Sequence, residues 1–246
     1  MRIAIAGATG TAGRATAQAA EDAGHEVVAL SRASGVDLRT GQGLDDALTG
    51  IDAMIDTSNP LPEDPDAGLV ETFAAATRHL AEARQRNGVA RLVHLSIAGI
   101  HDAGLDDFEY YVAQRAREEA LAAAEVPHTL IRSAQWMEFA LNPNAVTESE
   151  QEARVEDWLI QPIAEAEVGS ALVCAAAEDP ADRTVAGPEQ VRLPELTRAL
   201  LEARGDGRQV VTVPASLPAF GDGTLLAPGE AELRGPTVAQ WAAATA

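Results

Sequence analysis

Along its first half the chain alternates short apolar runs with longer stretches whose apolar residues recur three and four apart, the signature of strands feeding amphipathic helices. Arg2-Ile3-Ala4-Ile5-Ala6 is the first such run, and it passes directly into Gly7-Ala8-Thr9-Gly10-Thr11-Ala12-Gly13. Ala12, Ala15, Ala19 and Ala23 then keep a small apolar stripe until Gly24-His25 ends the helix and Glu26–Leu30 opens a second strand. A short helical turn is predicted over 44–48. A third strand over 51–56 closes in Thr57-Ser58-Asn59-Pro60, followed by a proline- and acid-rich loop. A long helix over 69–85 carries Leu69, Phe73, Ala76 and Leu80 on one face and stops at Asn87-Gly88. Residues 91–96 form the next strand, a loop spans 99–109, a helix enters at Tyr110 and runs to 124, and 126–131 reads as the sixth strand, with Pro127 at its tolerant first turn.

Beyond Trp136 the strict alternation lapses. Residues 142–147 read as loop, 148–158 as an acidic helix, 160–164 as a short strand and 167–177 as a helix. Arg183–Ala186 reads as a short strand, Leu193-Pro194-Glu195 starts a helix with Gly205 past its end, and Gln209–Val213 is the expected final strand. Residues 217–235 look irregular, and 237–243 forms a terminal helix. The 246 residues suit a single α/β domain over 1–246, with 136–246 contributing a small lobe.

A net charge of -20 opposes binding to a phosphate backbone, so nucleic acid is not an expected partner. The chain contains no lysine, and all 18 basic residues other than histidine are arginine. The single cysteine, Cys174, sits in an apolar helix-like run and reads as a small core residue. No apolar stretch approaches the length of a membrane span, and no cluster has metal-ligand spacing; the expectation is a soluble, cytoplasmic protein whose oligomeric state is open.

The strand, glycine turn, helix and strand of the first thirty residues are the elements a dinucleotide-binding turn demands. One glycine permits the sharp turn, one lets a pyrophosphate approach the backbone, and one lets helix and strand pack closely. The helix N-terminus then presents its free N–H groups to the phosphates. After the second strand, Leu30-Ser31-Arg32 supplies an arginine and no acid. An acid there would hold ribose hydroxyls, whereas an arginine accommodates a 2′-phosphate; the alternative for Arg32 is an ordinary solvated side chain. His94 reads as a packed core histidine, and His101 as a loop histidine, either exposed or able to donate a proton.

The three-and-three spacing of Gly7, Gly10 and Gly13 resembles that of the extended and atypical short-chain dehydrogenase/reductases, and Ala6-Gly7-Ala8-Thr9-Gly10 is most similar to their NmrA-like branch. The resemblance implies a Rossmann doubly wound parallel sheet with a small C-terminal substrate lobe. It implies a nicotinamide dinucleotide held by Gly7, Thr9, Gly10, Thr11, Ala12 and Gly13, with Ser31 and Arg32 at the adenosine ribose and NADP favoured over NAD. Asp37 and Leu38 would meet the adenine edge, and Thr57, Ser58 and Asn59 would line the cofactor opposite the glycine loop. In these enzymes a serine after a central strand and a Tyr-x-x-x-Lys pair carry the proton transfers. Here Ser96 matches the serine and Tyr110 the tyrosine, but Gln114 stands in the lysine position. A neutral amide cannot stabilise a phenolate as an ammonium does. The expected function is therefore NADP-dependent hydride transfer to a small conjugated or quinone-like carbonyl. The alternative is a non-catalytic NAD(P)-sensing regulatory protein. Phe108, Tyr110, Tyr111, Trp136, Phe139 and Trp158 would wall a substrate cleft or fill local core.

Overall fold

Ile3, Ala4, Ile5 and Ala6 are all fully buried. A strand covered on both faces has no polar side to alternate with, which is why this run is unbroken. In the computed structural model, which describes residues 1–64 and 66–246, it is β1 (Arg2–Ala6) and leads into α1 (Thr11–Asp22), β2 (Glu26–Leu30), α2 (Leu44–Ala47) and β3 (Ala53–Asp56). Next come α3 (Leu69–Asn87), β4 (Arg91–Ile97), α4 (Glu109–Ala123) and β5 (Thr129–Ser133). The remainder comprises β6 (Val146–Glu148), β7 (Glu152–Glu156), β8 (Leu159–Ile160), α5 (Glu165–Ala177), β9 (Arg183–Ala186) and β10 (Val191–Arg192). It closes with α6 (Leu193–Ala203), β11 (Gln209–Val213), α7 (Pro218–Gly221), β12 (Glu232–Leu233) and α8 (Val238–Thr245).

The central parallel sheet has seven strands in the order β12-β9-β5-β4-β3-β1-β2, the doubly wound α/β fold that the resemblance implies. The chain divides into two compact units, one of residues 1–96, 105–132 and 168–183, the other of 97–104, 133–167 and 184–246.

In the first unit β1 pairs in parallel with both β2 and β3, so successive crossovers leave β1 in opposite directions. The crevice beyond the carboxyl ends of β1 and β3 is the switch point at which such sheets bind ligands. Side-chain alternation puts Ala4, Ala6, Met54, Leu92 and Leu130 on one face, in a core with Leu44, Leu80 and Leu121 of α2, α3 and α4. By the same period of two, Asp56, His94, Ser96 and Arg132 lie on that face nearer the carboxyl ends. On α1, the backbone of Ala15 and Thr16 would lie 2.6–2.8 Å from a methyl placed on Gly169, so α5 rests directly on α1.

The second unit departs most from the sequence-based expectation. Residues 148–158 are not an acidic helix: they contribute β6 and β7, with β7 central in a three-stranded sheet of order β11-β7-β6. Ala153 and Val155 are buried while Glu152, Arg154 and Glu156 point outward. That is a period of two, which the acidic composition masks. The loop at 142–147 gives way to β6 at Val146, and the strand at 160–164 reduces to Leu159–Ile160, antiparallel to β10. Gln209–Val213 is not the last strand, because β12 follows and pairs in parallel with β9; α7 also interrupts the irregular stretch. The expected sixth strand is fifth in chain order and begins at Thr129, beyond Pro127, and Ala103–Leu105 makes a 3-10 turn in the loop before α4. Cys174 is exposed, not core: α5 turns it away from the buried Ala171, Leu172, Val173 and Ala175.

Candidate functional site

The glycine turn is built by close approach. Gly7 has φ +79°, the left-handed region open to glycine, and a Cβ there would sit 2.7 Å from Ser58 Cα. A Cβ on Gly13 would fall 1.9 Å from the Gly7 carbonyl oxygen, so the first turn of α1 packs on the loop itself. Gly10 differs, since its added methyl would meet only that same oxygen, at 3.3 Å. It is the N-cap of α1, without a side-chain cap, and the first turn carries no acid. The turn therefore fits a diphosphate: open backbone at Gly10, exposed Thr9 and Thr11 on either side, and uncapped N–H groups behind.

Opposite this loop, Thr57 donates both its N–H and its hydroxyl to the Ala6 carbonyl, at 3.0 and 2.8 Å, which ties the ends of β1 and β3 together. Ser58 turns inward, donating its hydroxyl to Asp56 Oδ1 at 2.6 Å, and Asn59 is exposed. Thr57 and Ser58 thus shape the wall by their backbone, and Asn59 is the free side chain of the three.

Beyond β2, Ser31 and Ser34 cap one another across a 3-10 turn at Arg32–Ser34. Arg32 projects from that turn with its side chain 74 % exposed and reaches Glu63 at 3.2 Å. Asp37 is taken by Arg39, whose Nε and Nη2 lie 3.0 and 2.7 Å from its two oxygens. The hydrogen bond from Arg39 holds the Asp37 carboxyl below its ordinary range. Leu38 is half-buried, and its carbonyl lies 2.9 Å from His79 Nδ1.

One face of α4 is polar and buried. Tyr110, Gln114, Arg117 and Glu118 follow the i, i+4, i+7, i+8 spacing that aligns side chains on a helix. Gln114 donates Nε2–H to the Tyr110 oxygen at 2.9 Å; it is 6 % exposed, and its Oε1 has no hydrogen-bond partner among the described residues. Tyr110 is half-buried, edge-on to Phe73 at 6.1 Å between ring centres. Arg117, 1 % exposed, spans α3, β3 and the Ser58 loop, donating to Thr77 Oγ1, Asp56 Oδ2 and the Ser58 carbonyl at 3.0, 2.5 and 2.6 Å. Burial alone would raise the Asp56 carboxyl, but Arg117, His94 and Ser58 together hold it well below the ordinary range. His94, buried as expected, has its pKa lowered by desolvation and by Arg117. As the neutral imidazole it donates Nδ1–H to Asp56 at 3.0 Å.

Ser96 reaches this same buried layer. Its hydroxyl donates to Glu118 Oε1 at 2.5 Å, and Arg132 pairs with Glu118 at 2.6 Å. The serine's proton is therefore committed inside the fold, and its oxygen is left to accept.

Residues 7–180 match the NAD(P)H-binding family, about seven-tenths of the chain and all of the loops just described. The chain belongs to that family. Solved structures agree on the fold at low identity. UDP-N-acetylglucosamine 4-epimerase from Bacillus cereus superposes with a TM-score of 0.75 at 13 % identity over 100 % of this chain and 95 % of that one. UDP-glucose 4-epimerase from Thermus thermophilus, in complex with NAD, gives 0.67 at 19 % identity over 87 % and 86 %. dTDP-4-dehydrorhamnose reductase from Yersinia enterocolitica gives 0.65 at 16 % over 89 % and 86 %. No curated protein sequence matches the chain. The dinucleotide-binding reading of Gly7, Gly10 and Gly13 thus agrees with the NAD(P)H-binding family, and the expected fold is the one these solved structures share.

In this NAD(P)H-binding chain the aromatic residues between 108 and 158 fall into two groups. Phe108, Tyr110 and Tyr111 gather around the start of α4 in the first unit, with ring centres 5.5–6.5 Å apart. In the second, Trp136, Phe139, Trp158 and Phe220 form a chain of contacts at 4.6–6.4 Å. His101 is exposed on its loop. Among the described residues no group of three or more His, Cys, Asp or Glu could hold a metal, and no helix is long and apolar enough to cross a membrane. Arg39, Glu63, Asp56, Arg117, Glu118 and Arg132 are the site-related residues that motif reading did not single out. The α4 spacing carried a signal for Arg117 and Glu118, because charged residues on the buried face of a helix need partners.

Proposed function

We propose that the chain is an NADP(H)-dependent reductase of small conjugated or quinone-like carbonyls, with Tyr110 as its proton donor. The observation that carries this reading is the Gln114 hydrogen bond to the Tyr110 oxygen at 2.9 Å. Because Gln114 fills the oxygen as donor, the phenol's own O–H is left to donate outward. A neutral amide offers the developing phenolate one hydrogen bond and no positive charge. That suits reduction, where the chain must give a proton, better than alcohol oxidation, where it must take one. Ser96 is not needed as a donor, since its proton goes to Glu118. Thr9, Gly10, Thr11, Ala12 and Gly13 would hold the diphosphate, Ser31 and Arg32 the 2′-phosphorylated ribose, Asp37 and Leu38 the adenine edge, and Thr57 to Asn59 the facing wall. The bound nicotinamide supplies the hydride. Arg32 at the end of β2, with no acid beside it there, supports NADP over NAD.

NADPH oxidation measured with a panel of small quinones across neutral to alkaline pH tests the reading. Wild type should turn over, Tyr110→Phe should lose at least about tenfold, since positioned acid–base groups contribute ~10²–10⁴-fold, and Gln114→Lys should move the pH–rate profile to lower pH. Turnover indifferent to Tyr110 removes the proton donor. NADPH binding without turnover in any variant turns the assignment to a cofactor sensor, the role that loss of the lysine would otherwise suit.

A further inference from the structure

Four charged side chains beyond the end of β2 form a neutral set within the first unit. Arg39 forks onto Asp37, and its Nη2 also lies 2.7 Å from Glu63 Oε1. Arg32 Nη1 reaches the same Glu63 oxygen at 3.2 Å. One carboxylate oxygen thus bridges two guanidinium groups. The anions differ in how firmly they are held. Asp37 also accepts the Arg39 backbone N–H at 2.9 Å, which closes a tight turn. Glu63, on the proline- and acid-rich loop after β3, has only the two arginines as hydrogen-bond partners among the described residues. Its side chain is 68 % exposed, against 17 % for Arg39. Glu63 is the member that can leave.

We propose that Glu63 is a resident stand-in for a 2′-phosphate: it holds Arg32 and Arg39 side by side in the free protein and yields that place when NADP(H) binds. Arg39 is then the second phosphate ligand, and Glu63 a brake on NADP affinity. The inference rests on, and deepens, the NADP reading above. A phosphate monoester brings close to two charges and three acceptor oxygens to the paired arginines, where a carboxylate brings one charge on a long, solvated side chain. A plain 2′-hydroxyl offers nothing to repay displacement, so NAD(H) leaves Glu63 in place. The carboxylate therefore also keeps the arginines from being an indiscriminate anion site.

Calorimetric titration of NADPH and NADH into wild type, Glu63→Gln and Arg39→Gln, at low and at physiological ionic strength, tests this. Glu63→Gln should bind NADPH about three- to tenfold more tightly with NADH unchanged, the size of an exposed ion pair plus a removed like charge. The gain should shrink as salt rises. Arg39→Gln should weaken NADPH about tenfold and spare NADH. No gain in Glu63→Gln, or an equal gain for both cofactors, overturns the inference while leaving the NADP preference to the wild-type ratio. Equal wild-type affinities overturn that preference, and Glu63→Gln still decides the role of Glu63. Absence of binding to either cofactor in every variant overturns both.

Discussion

Replacing Arg117 by Met keeps the volume that fills the space between α3, α4 and β3 but removes the cation. Asp56 is then a buried carboxylate with Ser58 and His94 as its remaining partners. Breaking a buried ion pair from one side costs about 3–5 kcal/mol, because the charge left behind is uncompensated. For a chain of this length that corresponds to a fall in Tm of roughly 6–20 °C. The loss should depend on pH with a definite sign. In wild type the Asp56 carboxyl is held below its ordinary value by Arg117, His94 and Ser58 against its burial. Its contribution is therefore complete above the unfolded carboxylate value of about 3.9 and fades only as pH falls through the lower folded value. In Arg117→Met burial is no longer opposed by the guanidinium, so the carboxyl rises, and His94 loses one of the two influences that keep it neutral. Protonation of either group relieves the stranded charge. The deficit should be largest near pH 8 and smaller at pH 5. Urea unfolding followed by tryptophan fluorescence and by far-UV circular dichroism measures it at both pH values. A deficit under about 1 kcal/mol, or one identical at the two pH values, would refute the assignment of Arg117 as the counter-ion of Asp56.

Arg32→Ala should weaken NADPH about tenfold and leave NADH untouched, the low end of a charge-assisted hydrogen bond because the side chain is largely exposed; calorimetry showing equal losses would remove Arg32 from the ribose. Cys174 is exposed on α5, so one thiol should react promptly with a disulfide reagent in the folded protein, whereas a thiol that reacts only after denaturation would place it in the core.

The parts of the fold that were legible are those in which one physical signal dominates. β1 and β3 announce themselves because burial on both faces demands near-continuous apolar runs, and Gly7 and Gly13 because no side chain fits where the loop, the wall and α1 converge. β7 was misread because five polar or charged positions in Glu148–Glu152 outweighed the Ala153 and Val155 alternation that the three-stranded sheet uses. Cys174 shares a helix side with Glu167 and Ser170, a three-and-four spacing that the apolar run around it masks. In the candidate site, the Tyr110 and Gln114 pair follows from a spacing of four, but the partners of Ser58, Ser96 and Arg32 do not. Glu118 lies 22 positions from Ser96 and Glu63 lies 31 from Arg32, and only the fold brings such separations into contact.

The central claim is that the turn after β1 holds a nicotinamide dinucleotide, and titration of NADPH fluorescence against Gly13→Val tests it most directly. The first added atom would lie 1.9 Å from the Gly7 carbonyl oxygen, so the loop must move away from α1 and lose the backbone surface at Gly10. The account predicts saturable binding by wild type, and at least about a hundredfold loss in Gly13→Val with a far-UV spectrum close to wild type, a change worth ~2.7 kcal/mol. A wild type that leaves NADPH fluorescence unaltered, or a Gly13→Val protein that binds it equally well, would contradict the account.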